Sequence, residues 1–346
     1  MVTKNINYLK TCLMLPSSLP SIYQCTTCVF CIYCIFVAST SATQNPANAQ
    51  LALVQDQEAM SEIALSLDDA PMPGTVLFSG MNKTKTIIQK LSQVNSPAIG
   101  IFALGIHAQG TQNRKRLQLY GEAGHIIANH TYHHYRLNDV SAQVFIEDIQ
   151  KAHIHLSGLP NFKRLFRFPY LCEGKDMAQR QEVIQALKAM GYQEGYVTVS
   201  NHDYYIHKLL IQAIKAGKQI NYAKLKKVYI KILWESIKAY DQLAQKVLKR
   251  KVKHVLLLHE NDLAALFIGD LIEYIRKQGW KIIAIEDAYQ DSIAALDLLN
   301  NYAYAGRIAA IAVDKGLGKG LIEFPETTHL SYIRKALQEE GAFIDP

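Results

Sequence analysis

Four histidines fall within the eleven residues Gly124-His125-Ile126-Ile127-Ala128-Asn129-His130-Thr131-Tyr132-His133-His134. His130 and His134 are four apart. On a helical turn that spacing puts two imidazoles side by side on one face, where they hold one divalent metal. A third ligand has to come from elsewhere, and Asp68 and Asp69 are the candidates. They end an apolar run, Ile63-Ala64-Leu65-Ser66-Leu67, just before Pro71. Such a run reads as a strand that delivers two adjacent carboxylates into a loop at the rim of a site.

Residues this far apart meet only if a scaffold brings them to one rim. Short apolar runs predict strands over Glu62–Leu67, Ala98–Leu104, Ile126–Ala128, Phe162–Phe168, Gly195–Ser200, Val255–His259 and Trp280–Ile285. Between them, helical spacing predicts helices over Thr84–Val94, Arg114–Ala123, 142–156 behind a Ser141 cap, Ala178–Met190 and Leu263–Gln278, with one long helical region over Tyr204–Lys251. Alternating strands and helices indicate an α/β fold with a parallel sheet or barrel. Asp68, Asp69, His130, Arg167, Asp203 and His259 all stand at or just after the ends of these strands, which is where α/β barrels build their sites.

In order, these motifs resemble the polysaccharide deacetylase family, the NodB-homology domain of carbohydrate esterase family 4. Its T-F-D-D-G motif is similar to Ser66-Leu67-Asp68-Asp69-Ala70, its H-[ST]-x-x-H motif to His130-Thr131-Tyr132-His133-His134, and its R-x-P-[FY] motif to Arg167-Phe168-Pro169-Tyr170. Asp203-Tyr204 and Leu256-Leu257-Leu258-His259 resemble the last two motifs. The resemblance spans roughly residues 60–290 and implies a distorted (β/α) barrel with one catalytic domain. It also implies that Asp69, His130 and His134 bind a divalent metal, commonly Zn2+, with Co2+, Ni2+ or Mn2+ as alternatives, and that water or substrate fills the open positions.

By the same resemblance Asp68 is the general base, His259 the general acid and Arg167 the partner that keeps Asp68 ionised, while Asp203 favours protonated His259. Tyr132 would lend a backbone N–H to the oxyanion, and Pro169 and Tyr170 would contact substrate. His133 competes with His134 as a ligand through i,i+3 spacing, and Asp203 has an Asx-turn as its rival role. Two departures stand out: Ala70 replaces a glycine, and Tyr204 replaces the tryptophan that walls the acetyl pocket. The reaction implied is removal of N-acetyl, or O-acetyl, groups from an amino-sugar polysaccharide such as peptidoglycan or a chitin-like glycan. The rivals are an amidase for a small non-sugar amide on the same fold and a non-catalytic envelope glycan-binding protein.

The chain has 346 residues, 49% of them hydrophobic and 19% charged, which suits a large globular core. Residues 1–49 read as a signal peptide: Lys4 and Lys10, an apolar stretch Cys25–Ala38, and small residues with cleavage points at Ala42 or Ala49. Retention as a membrane anchor is the other reading of this segment. Cys25, Cys28, Cys31 and Cys34 sit within that apolar stretch and read as part of it, not as a cluster site. Cleavage leaves Cys172 alone and hence no internal disulfide, which fits an exported bacterial protein of the periplasm or cell surface. Residues 50–290 form the catalytic domain and 291–346 a C-terminal appendage. The net charge of +7 and a lysine-rich region over 215–253 permit contact with anionic envelope polymers. No nucleic-acid module and no obligate protein partner is indicated.

Overall fold

The computed structural model describes residues 60–300, 302–318 and 329–345. The leader expected over 1–49 lies outside them. Four parallel strands lie side by side in chain order: β1 (Glu62–Ala70), β2 (Gly100–Ala103), β3 (Ile126–Asn129) and β4 (Phe162–Phe166). β5 (Gln193–Glu194) pairs with β4, and β7 (Lys253–His259) lies on the other side of β1. The two free edges meet through one extended segment. It leaves β5 at Gly195 and reaches Val199, whose N–H and carbonyl bond to Val255 and Leu257 of β7. The sheet is thereby drawn into a distorted barrel. The full strand expected over Gly195–Ser200 is only this bridge, because the segment serves two neighbours in turn. β8 (Lys281–Ile282) pairs with the first residues of β1.

β1, β2, β3 and β7 are almost wholly buried, as parallel strands covered by helices must be. Ile101, Phe102, Ile127, Leu256 and Leu258 are fully enclosed, and each such side chain contributes about 1.5–3 kcal/mol relative to exposure. The surrounding helices are α1 (Gly80–Gln93), α2 (Thr111–Glu122), α3 (Ala142–Leu156), α4 (Met177–Ala189), α5 (Asp203–Lys215), α6 (Tyr222–Leu248) and α7 (Asp262–Lys277). Side-chain caps fix several starts: Ser79, Ser141, Asp176, Asn221 and Asn261 each accept from a backbone N–H in the first turn. The Ser79 cap starts α1 earlier than the expected Thr84. The long helix expected over 204–251 is two helices. Gly217 reverses the chain in the left-handed region (φ 76°), where glycine carries no Cβ penalty, and Asn221 then caps α6. α6 buries Leu225, Tyr229, Ile232, Leu233, Ile237 and Tyr240 along one face and turns lysines outward.

After β8 come α8 (Ile285–Ala288), α9 (Arg307–Asp314) and α10 (Leu330–Glu339). β9 (Phe343–Ile344) pairs antiparallel with β6 (Gln219–Ile220). Ile308, Ala309, Ala310 and Ile333 are fully buried in the main core, so the described parts of 291–346 are packed into the barrel body. No helix among the described residues is long and apolar enough to cross a membrane.

Register is what builds the site. β1 and β7 pair residue for residue from Glu62↔Lys253 to Asp68↔His259, so an acid and a histidine arrive abreast at the same barrel end. At that end Ala103 pairs with Asn129, and Asn129 with Phe166, which places His130 and Arg167 one step beyond the sheet.

Candidate active site

His130 and His134 do not share a helix. Thr131 (φ 69°) and His134 (φ 64°) take left-handed conformations, and side chains brace the bend. The Asn129 carboxamide oxygen accepts from Thr131 N–H (2.8 Å), and the Thr131 hydroxyl accepts from His134 N–H (3.0 Å). The ring centroids of the two histidines end 5.0 Å apart. Asp69, also left-handed (φ 64°), brings Oδ1 to 3.2 Å from His134 Nε2 and 3.6 Å from His130 Nε2. A non-glycine residue holds that conformation only where its surroundings enforce it, which is common at functional sites.

The donor set of Asp69, His130 and His134 fits a divalent metal on three counts. Their ligand atoms lie within 4.8 Å of one another. Asp69 Oδ1 is a buried acceptor without a hydrogen-bond partner. His130 Nδ1 donates to the Arg167 carbonyl (2.9 Å), so its proton sits there and the Nε2 lone pair faces Asp69. Burial, with His134 adding to it, pushes the His130 imidazole down to about 3, so it stays neutral as a ligand must. His133 is no competitor: its ring turns away, with Nδ1 2.5 Å from Asp148.

Two charged pairs flank this triad. Asp68 Oδ1 accepts from Arg167 Nη1 at 2.5 Å, and its Oδ2 remains on the triad side, 3.7 Å from His130 Nε2. Burial pushes the Asp68 carboxyl up, and Arg167 and His259 pull against it. Arg167 is itself fixed: Nε donates to Gly195 O (2.8 Å), Nη1 also to Ser66 Oγ (2.8 Å), Nη2 to Tyr289 Oη (3.0 Å), and the guanidinium lies 3.7 Å over the Phe102 ring. A Cβ at Gly195 would meet that ring at 2.5 Å, so only glycine lets the carbonyl approach. Opposite, Asp203 Oδ1 lies 2.6 Å from His259 Nδ1, while Asp203 Oδ2 accepts from His259 N–H (2.9 Å) and Asn261 Nδ2 (2.8 Å). Burial works to lower the His259 pKa, but Asp203, with smaller help from Asp69 and Asp68, outweighs it and raises it to about 10.

All of this opens into a cleft of 640 Å³ lined by Asp68, Asp69, His130, His134, Tyr204 and His259 among others. Residues 56–195 match the family model described as polysaccharide deacetylase. That segment is similar to the polysaccharide deacetylase family. No curated protein sequence matches the chain significantly. Among solved structures, it is similar to the peptidoglycan deacetylase PdaC from Bacillus subtilis (17% identity, 67% of this chain and 91% of that one, TM-score 0.44). It is also similar to a family 4 carbohydrate esterase from Streptomyces lividans in complex with acetate (18% identity, 66% and 97%, TM-score 0.40). A mutant of BA3943, described as a CE4 family pseudoenzyme with restored enzymatic activity, matches at 18% identity over 66% of this chain and 68% of that one, with a TM-score of 0.45. Asp203 and His259 lie beyond the segment the family model matches, so their place in the site rests on the geometry above.

That geometry corrects several expectations drawn from the sequence. Tyr132 is not a free oxyanion donor: its N–H is spent on Asp148 Oδ2 (2.9 Å) and its ring is buried. Pro169 is buried beneath the rim and does not line the cleft, whereas Tyr170 and Leu171 do. Asp203 is not an Asx-turn residue; Asn201 makes that turn, accepting from Asp203 N–H (2.9 Å). Ala70 sits in β1 with extended backbone, and the left-handed residue is Asp69, so alanine in place of glycine is no strain. Tyr204 stands at the cleft with its ring 5.9 Å from His259, giving it an aromatic wall without a tryptophan. Asn261, Tyr289, Ser66 and Asp148 were not anticipated. Of these, Ser66 alone left a trace in sequence, as the single polar residue inside an apolar strand.

Proposed function

We propose that the chain is an exported, metal-dependent deacetylase that removes N-acetyl, or O-acetyl, groups from an amino-sugar polysaccharide of the bacterial envelope and releases acetate. The observation that carries this reading is the unpartnered Asp69 Oδ1 facing two imidazole nitrogens, with a buried carboxylate on one side and a protonated histidine on the other.

Asp69, His130 and His134 would hold the ion, Zn2+ by the mixture of imidazole and carboxylate donors. A divalent ion bound there supplies Lewis-acid polarisation of the acetyl carbonyl and lowers the pKa of the attacking water. Asp68, oriented by Arg167, takes that water's proton as its oxygen adds to the acetyl carbon. His259 bonds Asp203 through Nδ1, so Nε2–H is left to face the cleft and protonate the departing nitrogen or oxygen as its bond to the acetyl carbon breaks. We assign the oxyanion donor to the backbone N–H of Tyr170, a residue of the cleft lining. The cleft is open, and Tyr170 (53% exposed) and Tyr204 (47%) stand at its rim, which favours a polymer over a small amide.

The test is acetate release from an acetylated chitooligosaccharide and from peptidoglycan, before and after chelation. Release that chelation stops and added Zn2+ restores is the expected result. Bound metal with no acetate from either glycan would move the reading to a small amide.

A further inference from the structure

Arg136 lines the same cleft as Asp69, His134 and His259, yet it differs from the arginines that hold carboxylates. Arg116, Arg167, Arg180, Arg250 and Arg307 each hold a carboxylate. Arg136 is exposed, and among the described residues its guanidinium has no recorded hydrogen bond or ion pair. Its recorded contact is a ring: the guanidinium carbon lies 4.8 Å from the Tyr170 centroid. The Tyr170 ring in turn lies 4.5 Å from that of His134. Tyr170 (φ 57°) and Leu171 (φ 52°) are both left-handed, a conformation that side chains rarely adopt, and here it turns the tyrosine out over the cleft. The stack therefore ties a free guanidinium to a ligand of the triad at a set spacing.

A guanidinium laid on an aromatic face keeps the edges of its planar fork free, and that fork matches a carboxylate through two parallel N–H···O bonds. The protein's own carboxylates in the cleft are committed elsewhere: Asp68 to Arg167, Asp203 to His259, and Asp69 to the imidazole pair. We propose that Arg136, seated on Tyr170, is a carboxylate-recognition subsite, so that the preferred glycan carries a carboxylate on or next to the acetylated sugar. This rests on the deacetylase reading above and narrows its substrate class.

The test uses the full chain with Asp68→Asn, whose turnover is slow enough for binding to be measured. Two probes are compared by calorimetry: an oligomer of alternating N-acetylglucosamine and N-acetylmuramic acid, and the same oligomer with its carboxylates converted to methylamides. The acid probe is expected to bind at least about tenfold more tightly. Adding Arg136→Ala should bring its Kd to that of the amide probe and leave the amide probe unchanged, while Arg136→Lys should keep part of the preference. Equal affinity for the two probes in Asp68→Asn, or an Arg136→Ala loss of the same size on both, would overturn the subsite. Acetate release by the chain with Asp68 intact separates the two readings. A binding preference without acetate from either probe sinks the deacetylase and leaves the subsite. Equal acetate release from both, indifferent to Arg136→Ala, sinks the subsite and leaves the deacetylase.

Discussion

Two clusters of buried charge lie beside the paired ends of β1 and β7, and they are satisfied in opposite ways. Behind the sheet, Glu260 is fully enclosed and both its oxygens are used. Oε1 accepts from Thr84 Oγ1 (2.8 Å), Arg116 Nη2 (3.0 Å) and Tyr120 Oη (3.1 Å), and Oε2 from Arg116 Nη2 (2.8 Å) and the Met72 N–H (2.6 Å). Nearby, buried Lys83 donates to Pro73 O (2.8 Å). On the cleft side, Asp69 Oδ1 is just as enclosed and accepts from nothing. A buried carboxylate oxygen without a donor is expensive, whereas a saturated one holds structure. The contrast separates a fastening from a binding site. It also joins them, because Glu260 pins Met72 and Lys83 pins Pro73, in the loop that sets Asp69 in its left-handed conformation.

The contrast makes its largest prediction on activity. Asp68→Asn keeps the three ligands but removes the proposed base, so acetate release should fall about 10²–10⁴-fold with metal content unchanged, while the thermal midpoint drops because buried Arg167 loses its charged partner. A loss of metal in parallel would place Asp68 among the ligands instead. Next comes stability. Glu260→Ala leaves Arg116 buried without its partner, and unfolding free energy should drop by about 3–5 kcal/mol in denaturant titration. A change under about 1 kcal/mol would mean that the cluster is not a fastening.

The next effect is on pH. Because His259 is raised to about 10 in the folded chain against 6.5 free, its pairing stabilises the fold fully below about pH 6.5, and that contribution is lost as pH rises through about 10. As the proposed acid, His259 would set the basic limb of kcat/KM. Asp203→Asn should move that limb to lower pH, and an unmoved limb would assign it to another group. The smallest effect is at Ala70, which is buried and extended. Ala70→Gly should destabilise by about 1 kcal/mol, the reverse of what a strained position would show.

How much of this could be read from the sequence follows from how local each feature is. The strands announced themselves as apolar runs, and the residues after them carry the chemistry because parallel strands end at a common rim. His130 and His134 were correctly paired through their spacing, but the helical turn assumed for them is absent. Asn129 and Thr131 build the bend with side-chain hydrogen bonds that no hydrophobic period records. The fate of the Tyr132 N–H depends on Asp148, 16 residues on in a different element, and that of Arg167 on Tyr289, 122 residues on. Such partners are set by packing of the whole barrel, so a linear pattern does not show them. The break at Gly217 was visible as a glycine, but the helical spacing on both sides hid it.

The most direct test of the central contrast is metal stoichiometry, measured after dialysis by elemental analysis on the wild-type chain, Asp69→Asn and Glu260→Gln. The account predicts about one Zn2+ per wild-type chain, essentially none in Asp69→Asn with its fold retained, and metal still bound by the folded fraction of Glu260→Gln. A wild-type chain that takes up no divalent metal, or an Asp69→Asn variant that keeps it, would contradict the assignment of Asp69, His130 and His134.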